Sequence, residues 1–297
     1  MALLLDSCQG LRIIFSISPL TPLFESVQHP APPLVLFFGP FDPSGSGNLP
    51  ADAVTCARLG GHALSVVTAV HVQDTASIED VCIMAPEFID DQARCLLEDM
   101  NVKAIKAGPL YTTDAVRVLA QIVADYNQLP LVLQLGAPLG SDSFEDTDPE
   151  NVLAAIFELL LPQADLIVVE HQLLTHWQSD GILPPSEGNS PATILLQYGA
   201  QWVLTTGAQI RPGQYAHILH GPEQTMFNWL WQPPTSRLND IDGPLSCAAA
   251  LELARGLIMP AAVETALKKA TPLTTATFQP GMGYRIIDRS LPEPTHD

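Results

Sequence analysis

The chain has 297 residues, 47% of them hydrophobic, with 13 Lys and Arg against 32 Asp and Glu, a formal charge of −19. The hydrophobic content excludes a disordered chain, and the scarcity of cations argues against a nucleic-acid or anionic membrane surface. No apolar run reaches the roughly 18–20 residues that cross a bilayer. A nucleotide remains admissible, because backbone N–H groups and a metal ion hold phosphates without bulk positive charge. The five cysteines (Cys8, Cys56, Cys82, Cys95, Cys247) are scattered and odd in number, with no C-x-x-C spacing. They imply neither a disulfide framework nor a zinc site, and fit a reducing cytoplasm.

Residues 1–33 hold five prolines and no apolar period, and read as an extension poorly tied to the fold. The short apolar run within them lacks a cationic flank and does not read as a secretory signal. From Leu34 onward strands alternate with helices, and residues 34–297 read as one domain. Leu34 to Phe38 is a buried strand, followed by a loop rich in small residues, Asp42 to Asp52, and a helical pattern. Ala63 to Val70 is the next strand, with a polar cluster, His71 to Thr75, behind it. A helix runs from Pro86 to Met100, a short strand from Ala104 to Ala107, and a helix from Thr112 or Thr113 to about Tyr126. Leu131 to Leu135 is a strand, and Asp148-Pro149 is an N-cap and N1 pair opening a helix to Leu161. Leu166 to Val169 and Trp202 to Thr205 are strands separated by a Pro/Ser/Gly stretch and one helix. Tyr215 to Leu219 and Met226 to Leu230 form a hairpin, and helices over Ser246 to Ile258 and Pro260 to Lys269 close the chain. This alternation predicts an α/β fold: a mostly parallel sheet with helices on both faces and ligands beyond the carboxyl ends of its strands.

The Asp42 loop ends in Asp52 and is followed, one strand later, by Thr68-Ala69-Val70-His71-Val72-Gln73-Asp74-Thr75. The pair resembles D-P-S-G-G-A-G-x-Q-A-D and T-A-x-x-x-Q-N-T of the hydroxymethylpyrimidine and phosphomethylpyrimidine kinases of thiamine biosynthesis, within the ribokinase-like superfamily. The resemblance covers roughly Leu34 to Leu291, including a closing Gly281-Met282-Gly283 segment. It implies a ribokinase-like fold, Mg-ATP as phosphoryl donor, an aminopyrimidine as small-molecule partner, and a homodimer as a possible assembly. By position Asp52 and Gln73 would hold the aminopyrimidine, one accepting only and the other donating and accepting. His71 would be a further contact, and Pro109 replaces a Met that lines the family's pocket. Read without the resemblance, Asp52 is a residue that caps or solvates the helix start, and His71 and Gln73 are solvated loop residues.

On the donor side the family places G-[ST]-G-C at a helix N-terminus, where free N–H groups face a phosphate. The match here is Gly243-Pro244-Leu245-Ser246, with Cys247 next. Gly243 and Leu245 would form the cradle, and Ser246, Cys247 and Asp242 are the candidates for the catalytic group. Pro244 has no N–H to offer, and Leu245 puts a branched side chain where a glycine let phosphate approach. The family's D-P-V becomes Gln134-Leu135-Gly136, and its T-P-N-x-x-E becomes residues 168–173, leaving Glu170 as the metal carboxylate and Leu173 in place of the acidic residue. Thr206 and Gly207 retain part of the nucleotide motif. These changes predict a kinase of this family with impaired catalysis. The alternative is a pseudokinase that binds a pyrimidine-like molecule as a sensor or partner subunit.

Overall fold

The computed structural model describes residues 31–137, 148–185 and 190–290. Most of the expected N-terminal extension therefore lies outside the described residues. Among those described, nine strands form one sheet in the order β3-β2-β1-β4-β5-β6-β7-β8-β9. The six central strands are parallel: β1 (Leu34–Phe41), β2 (His62–Gln73), β4 (Val102–Ala107), β5 (Leu131–Leu135), β6 (Leu166–Glu170) and β7 (Val203–Arg211). Strand β3 (Ile78–Ile83) runs antiparallel at one edge, and β8 (Gln214–His220) and β9 (Met226–Trp231) at the other.

Alternation along β1 explains the two-sided packing. Leu36 and Phe38 enter one core with α2 (Pro86–Asp99), α3 (Thr113–Asp125), α4 (Pro149–Ala155), α5 (His171–Ser179) and α6 (Ala192–Gln197). Val35 and Phe37 enter the other with α1 (Asn48–Arg58), α7 (Gly243–Ala254) and α8 (Met259–Thr275). A strand buried on both faces has no polar face to show, which is why β1 reads as a continuous apolar run. A small ribbon, β10 (Thr277–Phe278) with β11 (Ile286–Ile287), closes the described chain.

The expected caps are present. The Thr112 side chain accepts from Ala115 N–H at 3.1 Å, and Asp148 accepts from Glu150 N–H at 3.0 Å ahead of Pro149. The helix opened by Asp148 changes to a π turn at Ile156–Leu160 and a 3-10 turn at Leu161–Gln163, so its α-helical part is short.

Several elements differ from the sequence expectation. β2 continues through His71 to Gln73, because β3, not anticipated, pairs with it there. Of β3 only Val81 is buried, so its sequence carries little apolar signal. Helix α5 was also not anticipated, although Leu174 and Trp177 bury one face of it. β7 runs on to Arg211 because its hairpin partner β8 extends it. Helix α7 begins three residues before Ser246 and ends at Ala254, while α8 passes Lys269 and carries Pro272 inside it.

Candidate active site

The Asp42 loop is organised by its first residue. The fully buried Asp42 carboxylate accepts from Ser44 N–H (2.8 Å), Ser44 Oγ (2.7 Å), Ser46 Oγ (2.8 Å) and Gly47 N–H (3.0 Å). These bonds fold the loop into a tight cup ahead of α1. Gly45 (φ +69°) and Asn48 (φ +55°) take the left-handed backbone such a turn needs, and Asn tolerates it better than most residues.

Asp52 lies in the second turn of α1, not at the helix start. Its carboxylate pairs with Lys106 Nζ of β4 at 2.6 Å, and both side chains are buried. Burial pushes the Asp52 carboxyl up to about 6; Lys106 opposes that shift and nearby Asp240 adds to it. On β2, beyond β1, His71 Nδ1 lies 2.8 Å from Gln73 Oε1 and its Nε2 3.0 Å from Tyr111 Oη. Gln73 Oε1 can only accept, so Nδ1 carries the proton and Nε2 accepts from the phenol. Burial pushes the Tyr111 phenol up, which keeps that donor protonated. Pro109 stands beyond β4 and lines a small cleft, partly open to solvent, with Tyr111, Leu133, Gln134, Val152 and Ile156.

At the same end of the sheet, beside the Asp42 loop, α7 presents its N-terminus. Asp240 Oδ1 accepts from Gly243 N–H at 2.8 Å and from Gln134 Nε2 at 3.2 Å, capping the helix. A side chain on Gly243 would overlap the Asp240 carboxylate, its Cβ falling 2.0 Å from Oδ2, so any larger residue would displace that cap. The next residue is Pro244, which has no N–H. Ser246 N–H is taken by the Asp242 carbonyl oxygen at 2.9 Å. Among the described residues Leu245 alone retains an unpartnered N–H in this first turn.

Ser246 is buried, and its hydroxyl donates to Gln134 Oε1 (2.7 Å) or the Gly243 carbonyl oxygen (3.0 Å). Leu245 turns into the core. Cys247 turns toward α1, with Sγ 3.6 Å from the Asp52 carbonyl oxygen, and burial pushes its thiol up. Asp242 is placed differently: its Oδ2 accepts from Thr206 Oγ1 at 2.9 Å, and burial, with Asp240 and Glu170 nearby, pushes its carboxyl up to about 7. Gly207 follows with φ +65°, against the Trp231 ring. Glu170 ends β6 and is exposed. The structure thus joins Thr206, Asp242, Gly243 and Ser246 into one connected set, and holds Asp52 and the His71–Gln73 pair in separate ones.

Most of this end of the sheet aligns with known proteins. Residues 42–288 match the family model described as phosphomethylpyrimidine kinase. The chain belongs to the phosphomethylpyrimidine kinase family. It is 26% identical over 259 residues to a hydroxymethylpyrimidine/phosphomethylpyrimidine kinase of Streptomyces coelicolor, covering 86% of this chain and 94% of that one. A Mycobacterium bovis kinase of the same description is 28% identical over 265 residues, covering 85% and 92%. The fold matches the crystal structure of a Clostridium difficile phosphomethylpyrimidine kinase with a TM-score of 0.66 at 21% identity, covering 82% of this chain and 100% of that one. It also matches a Bacillus subtilis pyridoxal kinase solved with ADP, with a TM-score of 0.74 at 20% identity, covering 88% and 98%. The ribokinase-like architecture expected from the sequence is the one observed.

Four contributors were not singled out from the sequence. Lys106 is one, although a lysine inside an apolar strand asks for a buried partner. Asp240 and Asn239 lie just before the cradle, and Asn239 Nδ2 donates to Ser46 Oγ at 2.7 Å, tying the two loops together. Arg289 reaches back from the tail to donate from Nε to Thr55 Oγ1 (3.0 Å) and from Nη2 to the Ser46 carbonyl oxygen (3.4 Å). Its one sequence signal is scarcity, as one of 13 basic residues in an acidic chain.

Proposed function

We propose that this chain performs its family's reaction, phosphoryl transfer to the hydroxymethyl group of an aminopyrimidine or its monophosphate in thiamine biosynthesis, at a much reduced rate. Family membership carries the reaction class, and the α7 N-terminus carries the reduction. The acceptor ring would sit in the cleft beside Pro109, with the Gln73 carboxamide of β2 and the Asp52–Lys106 pair between α1 and β4 fixing the polar edge. Asp242 is the group suited to hold the hydroxyl proton, because a carboxylate titrating near neutrality is matched to that task.

Magnesium suits this arrangement: it is commonly held by one or two carboxylates together with substrate phosphates, and Glu170 would supply one. Among the described residues no group of three or more ligating side chains converges, so the metal would arrive with its nucleotide. Mg-ATP supplies the phosphoryl group and neutralises its charge. The phosphate cradle fits less well, since a single first-turn N–H is left to meet the transferring group. Each lost donor of this kind costs about 10²–10³ in kcat. That same observation favours a second reading, a pseudokinase that binds the pyrimidine as a sensor or partner subunit. A reducing cytoplasm suits either, since the described cysteines are free thiols, two of them exposed.

Calorimetric titration with hydroxymethyl-aminopyrimidine and then Mg-ATP, beside an assay of pyrimidine-dependent ADP release, tests the proposal. Slow ADP release that requires the pyrimidine supports the impaired kinase. Pyrimidine binding with no ADP release supports the pseudokinase. Failure to bind the pyrimidine at all would overturn both readings.

A further inference from the structure

His71 is 3% exposed, and both nitrogens of its ring are engaged, one by Gln73 Oε1 and the other by Tyr111 Oη. The imidazole therefore bridges β2 and the segment that follows β4, and it cannot turn without breaking a bond. The backbone beneath it is held as well. β3 pairs with β2 at His71 and again at Gln73, with a register shift between Val72 and Gln73. A shift of that kind re-aims the side chain beside it. Tyr111 reaches the bridge from the wall of the cleft that Pro109 lines.

The order of protons along the bridge has a consequence for Gln73. Its oxygen accepts from His71 Nδ1–H, and His71 Nε2 accepts from the phenol. A planar amide whose oxygen is tied to His71 carries its two N–H donors on the other side. Among the described residues no acceptor meets Gln73 Nε2. We propose that Tyr111 and His71 are positioning residues: their bridge turns the Gln73 amide so that its N–H groups face the ligand, and the site thereby selects a ring that offers a nitrogen acceptor at that edge. The proposal rests on the pyrimidine reading of the site, and it settles which edge of the pyrimidine Gln73 meets. An aminopyrimidine shows ring-nitrogen acceptors beside an exocyclic amine donor. A bridge running the other way, with the proton on Nε2, would present the Gln73 oxygen and suit the amine instead. The two arrangements differ in the tautomer of one histidine, so they can be told apart without a ligand.

The test reads tautomer and affinity separately. Long-range ¹H–¹⁵N spectra of the full chain, labelled at its eight histidines and recorded above the ordinary imidazole titration range, report the proton position. His71→Asn identifies the signals that belong to His71. The expected ligand-free state carries the proton on Nδ1, and Tyr111→Phe, which removes the phenol proton, should abolish that preference. In calorimetry, hydroxymethyl-aminopyrimidine should bind Tyr111→Phe about tenfold more weakly, the scale of one hydrogen bond. In a Gln73→Leu background the same change should cost no further affinity, which separates positioning from a direct contact by the phenol. Of the two analogues with CH in place of one ring nitrogen, one should bind the natural chain at least about tenfold more weakly than the parent. That gap should shrink in Tyr111→Phe. A proton on Nε2 in the natural chain would overturn the proposal, as would a Tyr111→Phe loss that persists in full without Gln73. The Nδ1 proton and its dependence on Tyr111, found in a chain that binds no pyrimidine, would support the orientation of Gln73 and count against the pyrimidine reading alone.

Discussion

At the acceptor end the polar groups are paired by design of the fold: Asp42 accepts four bonds, and Asp52 meets Lys106 at 2.6 Å. At the donor end the first turn of α7 has little left to offer a phosphate, since Gly243 N–H is taken by Asp240 and Pro244 brings none. The two ends are linked, because Asn239 bonds Ser46 and Arg289 bonds the Ser46 and Thr55 oxygens. On the proposed reading, substitution has changed the donor chemistry without loosening the frame: a helix N-terminus can be well capped and still offer little to an anion.

The comparison is broken most severely at Lys106. Lys106→Ala should destabilise the fold by about 3–5 kcal/mol, because it strands a buried carboxylate. The double variant Lys106→Met with Asp52→Asn should recover most of that, as read by urea denaturation. If the single variant costs under about 1 kcal/mol, the pair does not hold the acceptor end together.

Proton linkage separates the ends next. Asp242 and Asp52 titrate at about 7 and about 6 in the folded chain against 3.8 ordinarily. Their neutral forms are favoured on folding, so the stability they contribute is full below about pH 4 and is lost as pH rises through 6 and 7. His217 shows the reverse. Burial lowers it to about 4, and it lowers His171 and His220 as well, so their contribution is present above 6.5 and lost as pH falls. A stability maximum near pH 5–6 follows. The alkaline decline from Asp242 is on the order of 2–4 kcal/mol between pH 5 and 8. Asp242→Asn should flatten it, measured as Tm against pH; an unchanged slope would assign the decline to other groups.

Arg289→Ala should cost about 2 kcal/mol, the scale of buried charge-assisted bonds, and it should weaken pyrimidine binding while raising the Asp52 carboxyl further, since Arg289 helps to hold it down. Equal effects on both ends would contradict its assignment to the acceptor loop.

Much of the fold was legible because its central strands and amphipathic helices carry their period in the sequence. β3 was not, since one buried residue in six leaves no pattern. Helix α5 was hidden by reading residues 168–173 only as a motif, although Leu174 and Trp177 share one face. The site was half legible. Asp52, Gln73, Thr206 and Asp242 stand at the sheet end where the motifs put them, yet nothing local announces that Lys106 faces Asp52 across 54 positions, or that Arg289 comes back from the tail. Long-range partners of buried charges leave only one signal in a sequence, an ionisable residue where the pattern asks for an apolar one. Lys106 carries that signal; Asp240 and Arg289, in loops, do not.

The most direct test rebuilds the cradle. Pro244→Gly, Leu245→Gly and Ser246→Cys together return the first-turn N–H at 244 and the space beside it, and pyrimidine affinity serves as the check that the acceptor end still folds. Pyrimidine-dependent ADP release should rise by about 10²-fold or more over the natural chain with pyrimidine affinity unchanged. No rise in a variant that still binds pyrimidine, or a natural chain already as fast as the rebuilt one, would contradict the account of a donor end closed by its own backbone.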